Sequence, residues 1–401
     1  MKKILFAALV GGIAFTSCST DDDVIYPDPS IEVPETYTFT RNGESTVSFS
    51  GQTTRILMAG ELFGDLLNPE MTEEKLSNMF SNEENPFSSE DLNSSSKDIK
   101  SKVAASKLYF SSNSVESNAI KSTFESWISE QVTDVFPNWE TLAEEGVAGQ
   151  IAQGDKTRYV NGKGIEVNQI FAKSLIGALV TDQILNNYLS EAVLDEADNT
   201  EKNSEGATEE GKSYTTMEHK WDEAYGYLVG HPSISSESPL ASLDSHEDKL
   251  LFNYLVKVDN DPDFAGIAEE TFEAFKTGRA AIVAGDYELR DEQVAIIRRN
   301  LSLVSAVRTI YYLQNGKSAM ANEDLGTAFH GLSEGLGFLY SLRFTHNPET
   351  GEPYLAPEVL LGYHEQLTAG NGLWDVTPET LDSISEAIAD AFGITVAQAA
   401  E

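Results

Sequence analysis

Cysteine is nearly absent: Cys18 is the single one in 401 residues, which excludes disulfides within the chain. Basic residues are scarce. Acids outnumber them 65 to 27, giving a formal charge of −38, and this excludes the positive footprint that binding to nucleic acid requires. After residue 15 there is no apolar run long enough to cross a bilayer. A Gly-rich phosphate loop between a strand and a helix is also missing, and strand signals are nearly absent after Arg55. Helix-on-helix packing is left as the architecture.

What is present begins with Lys2 and Lys3, an apolar run from Ile4 to Phe15, and Thr16-Ser17-Cys18. A charged start, a short apolar stretch and a small residue before cysteine describe a secretory signal over residues 1–17, too short to span a membrane. Cys18 then reads as a lipid attachment site. Two or more acyl chains, at about 0.8 kcal/mol per buried methylene, would hold the chain on a membrane. The following Ser19, Thr20 and Asp21-Asp22-Asp23 resemble the acidic export tag by which some outer-membrane lipoproteins reach the cell surface. The expected location is the outer membrane, surface-exposed or periplasm-facing. With Pro27, Pro29 and Pro34 and little to bury, residues 18–35 are predicted to be a disordered acidic tether. Loss of Lys2 and Lys3 with the signal makes the mature chain −40, so cations are its natural partners.

Beyond the tether, Tyr37 and Phe39, then Asn42-Gly43, then Val47 and Phe49 predict one small hairpin, because Asn and Gly tolerate positive φ. Helical spacing follows from Thr54 to Leu67. Thr72 with Glu73 and Glu74 starts a short helix, and residues 81–98 read as a surface loop. Helices are predicted near 101–108, 118–136, 166–194, 216–229, 245–258, 264–284, 291–314, 322–342 and 378–392, with irregular chain at 145–163 where four glycines fall. The predicted fold is all-α, a duplicated helical bundle with a small N-terminal β-hairpin. Residues 36–401 form it in two related halves, about 36–206 plus the helix 216–229, and about 240–401.

One motif occurs twice, 111 positions apart: His219-Lys220-Trp221-Asp222-Glu223-Ala224-Tyr225-Gly226-Tyr227-Leu228 and His330-Gly331-Leu332-Ser333-Glu334-Gly335-Leu336-Gly337-Phe338-Leu339. On a helix, His and the Glu four later differ by about 40°, and the Gly seven later by about 20° to the other side. All three share one face. Gly226 and Gly337 would leave clearance there for a helix or ligand, at about 1 kcal/mol of helix propensity. If the halves face each other across a pseudo-twofold, His219, Glu223, His330 and Glu334 converge as two imidazoles and two carboxylates. That set suits zinc, iron or copper, with Glu218 and Asp222 behind it. The opposing reading is a His and Glu bonded to each other inside a bundle, with the glycines serving packing alone.

Met217 to Tyr227, Ala328 to Glu334 and Tyr37-Thr38-Phe39-Thr40-Arg41-Asn42-Gly43 together resemble a family of bacterial surface lipoproteins labelled domain of unknown function 4856. More remotely, the chain is similar to the imelysin group, helical double bundles named as metallopeptidases and associated with iron uptake. That group's signature is Gly-x-His-x-x-Glu. Met217, His219 and Asp222 occupy the matching positions, so the glycine is missing and the acid is one methylene shorter.

Other patterns fail on their chemistry. Gly331-Leu332-Ser333-Glu334-Gly335 fits a serine-hydrolase elbow but sits within a helical period rather than at a strand-to-helix turn. His246-Glu247 and His364-Glu365 lack the second His of the zinc-peptidase helix, Leu250 and Thr368 standing there. Asp259 to Glu270 imitates a calcium loop, yet Phe264 replaces the required Gly and Pro262 stiffens it. Three functions stay open: an accessory lipoprotein of iron acquisition that binds a transition metal or a metal-bearing ligand or partner; an imelysin-like metallopeptidase with Asp222 or Glu218 as base; and a structural or partner-binding lipoprotein without a small ligand.

Overall fold

The computed structural model describes residues 31–400; the signal segment, Cys18 and the tether up to residue 30 lie outside them. Ile31 and Val33, within the expected tether, pack partly buried against the core. The chain just after them is also held, with Lys276 Nζ donating to the Glu35 carbonyl at 3.2 Å and Tyr37 N to the Glu237 carbonyl at 2.9 Å.

Helices make up most of the described chain, and the hairpin forms where Asn-Gly predicts it. Asn42 and Gly43 take φ of 54° and 83°, letting Thr40–Arg41 pair antiparallel with Glu44–Ser45. A second hairpin, Gly149–Gln153 with Lys156–Val160, occupies the stretch expected to be irregular. Its glycines serve geometry rather than disorder. Gly154 turns the chain at φ 55°, and at Gly149 a Cβ would lie 2.3 Å from the Thr141 carbonyl oxygen, so only glycine lets the backbone of Thr141 to Ala143 lie against this strand.

The core is organised around the segment Val167–Leu175, which continues as the π-helical stretch Ile176–Tyr188. This central helix is buried on nearly every side, so the polar residues it carries, Lys173 and Asp182 among them, must find their partners inside the fold. At Gly177 the absence of a side chain lets Ser341 approach, its Cα only 2.4 Å from where a Cβ would stand. The first motif helix, Thr216–Val229, begins at a capping box in which Thr215 and Glu218 satisfy each other's backbone. The second motif helix is Leu325–Ser341. Between them run Leu251–Asp259, Ile267–Ala284 and the long helix Tyr287–Ala321. The long helix starts earlier than its apolar spacing suggests because Asp286 caps it at Leu289.

Both motif helices pack on the central helix, but at different places. The first lies against its π-helical part; the second lies against Val167–Leu175 and the long helix, and the two motif helices share no extensive contact. The expected arrangement in which the motifs face each other across a pseudo-twofold is therefore replaced by two separate seats on one central element.

Candidate functional site

In the second copy the shared face of His330, Glu334 and Gly337 receives the start of the central helix. His330 Nδ1 donates to Glu166 Oε1 at 3.1 Å, since a carboxylate can only accept. Glu334 Oε1 lies 3.1 Å from Lys173 Nζ, and its Oε2 is 3.8 Å from His330 Nε2. A Cβ on Gly337 would stand 2.5 Å from Lys173 Cβ and 3.0 Å from the Ile170 carbonyl. Ser333 Oγ accepts from Glu166 N at 2.9 Å and donates to the Phe329 carbonyl at 2.6 Å. It is a buried joint residue, not a nucleophile at a turn.

The first copy receives the start of another helix, Ser50–Asp65. Its N-cap residue Phe49 fills the notch at Gly226, where a Cβ would meet Phe49 Cβ at 2.3 Å. Gln52 Nε2 donates to Glu223 Oε1 at 3.2 Å, and Lys220 Nζ to Glu223 Oε2 at 2.8 Å. His219 stacks on Tyr214 with ring centroids 4.5 Å apart, and burial holds its pKa below the ordinary value against the pull of Glu223. The face read from the sequence thus exists in both copies. It is a seat for the first turns of a helix.

Glu218 and Asp222 serve a different contact. Arg41 grips Glu218 with two bonds of 2.8 and 2.9 Å. The fully buried Arg279 donates to Asp222 Oδ1 at 3.0 Å and to Glu218 Oε1 at 3.2 Å. Tyr37 OH reaches Asp222 Oδ1 at 2.8 Å, and Ser48 N reaches Oδ2 at 3.3 Å. The N-terminal hairpin is clasped to the motif helix by these charges, and Tyr37 stacks on Tyr225 at 3.7 Å. Burial pushes Asp222 up to about 6 in spite of Arg279 and Tyr37, so near pH 7 it remains an occupied counterion.

The four proposed metal ligands therefore do not converge. Lys173, which pairs with Glu334, and Tyr188, whose hydroxyl faces Glu223, lie at opposite ends of the central helix, roughly 20 Å apart at helical rise. Within the second copy, Glu166 and Glu334 sit on opposite nitrogens of His330, so the imidazole bridges them where a metal would need them on one side. Among the described residues no group of three or more His, Cys, Asp or Glu side chains is arranged to hold a metal. The imelysin-like positions diverge too: Met217 is in the core, Asp222 faces Arg279 and His219 faces Tyr214.

A chain whose motif helices are joints rather than halves of one metal centre still has recognisable kin. The chain belongs to the family described as domain of unknown function 4856. The family's profile matches residues 34–395, so it takes in both motif helices and the hairpin clasped to the first. No curated protein and no solved structure matches the chain.

Several partners of the motif are invisible in its spacing: Glu166, Lys173, Gln52, Arg41 and Arg279. The usable signal is a cation inside an apolar helical run, as in Phe171-Ala172-Lys173-Ser174-Leu175 and Arg279-Ala280-Ala281-Ile282, because a buried cation requires a buried carboxylate. The acidic loop after Asp259 caps a helix: Asp259 Oδ1 accepts from Gly266 N and Ala268 N at 3.0 and 2.9 Å.

Proposed function

We propose that this chain is a lipid-anchored binding protein, attached through Cys18 at the outer membrane, whose repeated His/Glu motif is a pair of helix joints and whose partner is a macromolecule at the cell surface or in the periplasm. The observation that supports this reading is the neutralisation of both motif glutamates inside the fold. Glu223 is held by Lys220 and Gln52, and Glu334 by Lys173 and His330, which leaves neither a joint ligand set nor a spare carboxylate. The peptidase reading needs Asp222 or Glu218 free to act as a base, and both are bound to arginine. The family match and the helical fold carry no activity of their own.

The test uses the full chain purified without chelator or affinity histidines, beside a His219→Ala, His330→Ala double variant. Equal transition-metal content in both, with lower thermal stability in the variant, is the expected result. Stoichiometric metal in the parent that is lost from the variant would replace this reading with the metal-binding, iron-acquisition one; metal-dependent cleavage of an unstructured protein would replace it with the peptidase. A Cys18→Ser change should release the chain from the membrane fraction and abolish labelling by a fatty-acid analogue, and retention in the membrane would refute the anchor.

A further inference from the structure

Beside the second motif, three cations surround one tyrosine ring. Lys257 Nζ lies 4.7 Å, Lys173 Nζ 5.3 Å and the Arg308 guanidinium 5.9 Å from the Tyr254 centroid. They come from three elements, Leu251–Asp259, the central helix and the long helix. Arg308 also stacks over Tyr311 at 3.9 Å and Tyr312 at 4.6 Å. The one carboxylate among the groups acting on Lys257 is Glu334. Glu334 is already engaged by Lys173 at 3.1 Å and by Tyr254 OH at 3.4 Å.

In a chain with more than twice as many acids as bases, a surplus of cations at one place runs against the composition, since gathering like charges with one counterion costs free energy. The surplus is partly desolvated. Arg308 is 7% exposed, and among the described residues its buried Nε has no hydrogen-bond partner; an unpaired buried N–H of a charged group costs more than a neutral one. Burial, then Arg308, holds Lys257 below the ordinary lysine value. Lys257 is itself exposed and Tyr311 half-buried, so the cluster opens to solvent on that side.

We propose that Arg308, Lys257 and Lys173, walled by Tyr254, Tyr311 and Tyr312, form a binding site for an oxyanion, the phosphate, sulfate or carboxylate group of a ligand. A fork of guanidinium N–H groups with two ammonium groups supplies charge-assisted donors, and the tyrosine rings beside them supply apolar walls. Glu334 holds Lys173 in place and keeps the site from repelling its own cations. The site goes beyond the partner-binding reading and stands whether or not the helix joints have a second role.

The experiment is titration of the full chain with inorganic phosphate, sulfate and acetate at constant ionic strength, followed by calorimetry and by the rise in melting temperature that ligand linkage produces. Saturable binding of at least one anion is expected. Lys257→Gln should weaken it roughly tenfold, the loss of one charge-assisted contact, Arg308→Gln should abolish it, and Lys107→Gln, at an exposed ion pair with Glu196, should leave it unchanged. Should Arg308→Gln fail to fold, Lys257→Gln still decides, because Lys257 is at the surface. Absence of saturable binding of all three anions, or binding that Lys257→Gln leaves intact, would overturn the proposal.

Discussion

Arg279 Nε and Asp222 Oδ1 stand 3.0 Å apart with neither side chain exposed to solvent. This pair joins the helix Ile267–Ala284 to the first motif helix and, through Tyr37 and Thr46, to the N-terminal segment. Removing one member strands the other as an uncompensated buried charge. Arg279→Met should therefore lower unfolding free energy by about 3–5 kcal/mol, read from urea denaturation, and should expose residues 37–48 to proteolysis first. A loss below about 1 kcal/mol would mean that water or Arg41 takes over the charge.

The notch glycines make a comparison in which one substitution has two signs. Gly337→Ala forces a methyl to within 2.5 Å of Lys173 Cβ, and should cost about 1–3 kcal/mol by overpacking. At Gly362, inside Pro357–Thr368, a Cβ would meet nothing within 4 Å, so Gly362→Ala should stabilise by about 0.4–1 kcal/mol through the unfolded chain. Melting temperatures of the two variants moving the same way would contradict the helix-joint account.

Much of this was legible in the sequence, but unevenly. Thr216–Val229 and Pro378–Phe392 follow from their caps and apolar spacing, because those signals are local. So does the Asn42-Gly43 turn. The second hairpin is hidden because glycines at a close backbone approach and at a turn look the same as glycines in loose chain. The common face of His, Glu and Gly followed from helical geometry alone, whereas what sits on it is a long-range fact: Phe49 and Gln52 lie far from Gly226 and Glu223 in the chain, as Glu166 and Lys173 lie far from His330 and Glu334. A periodicity reports which side is special and carries no information on the partner. Charge composition likewise could not show that three of the few cations gather at Tyr254.

Asp182 is buried within the π-helical stretch and accepts from Ala105 N and Ser106 N, both at 3.0 Å, just ahead of the short helix Lys107–Phe110. Burial, only partly offset by these bonds, pushes its pKa up to about 6. Between that value and the unfolded one the native carboxyl binds a proton that the unfolded chain does not, so this group adds stability as pH falls through 6 and the gain is complete below 3.8. Asp182→Asn lacks the gain. The stability of the parent relative to the variant should rise by up to about 3 kcal/mol from neutral pH to about pH 4, measured by urea unfolding at several pH values. A difference independent of pH would show the carboxylate to be better solvated than its setting implies.

Glu334 has the opposite sign. Burial raises its pKa, but Lys173 and His330 outweigh burial and hold it at about 2, below the ordinary 4.5. Its charge therefore stabilises the fold fully above 4.5, and that contribution fades as pH falls through 2. Glu334→Gln leaves Lys173 without its counterion and should cost about 3 kcal/mol near pH 7. The cost should stay level down to about pH 5 and close toward about pH 2, where the parent carboxyl is itself neutral. The same variant removes the one negative charge at the proposed anion site, so its affinity for phosphate should rise while its stability falls. A Glu334→Gln chain that is less stable and binds phosphate no better would assign the carboxylate to the helix joint alone.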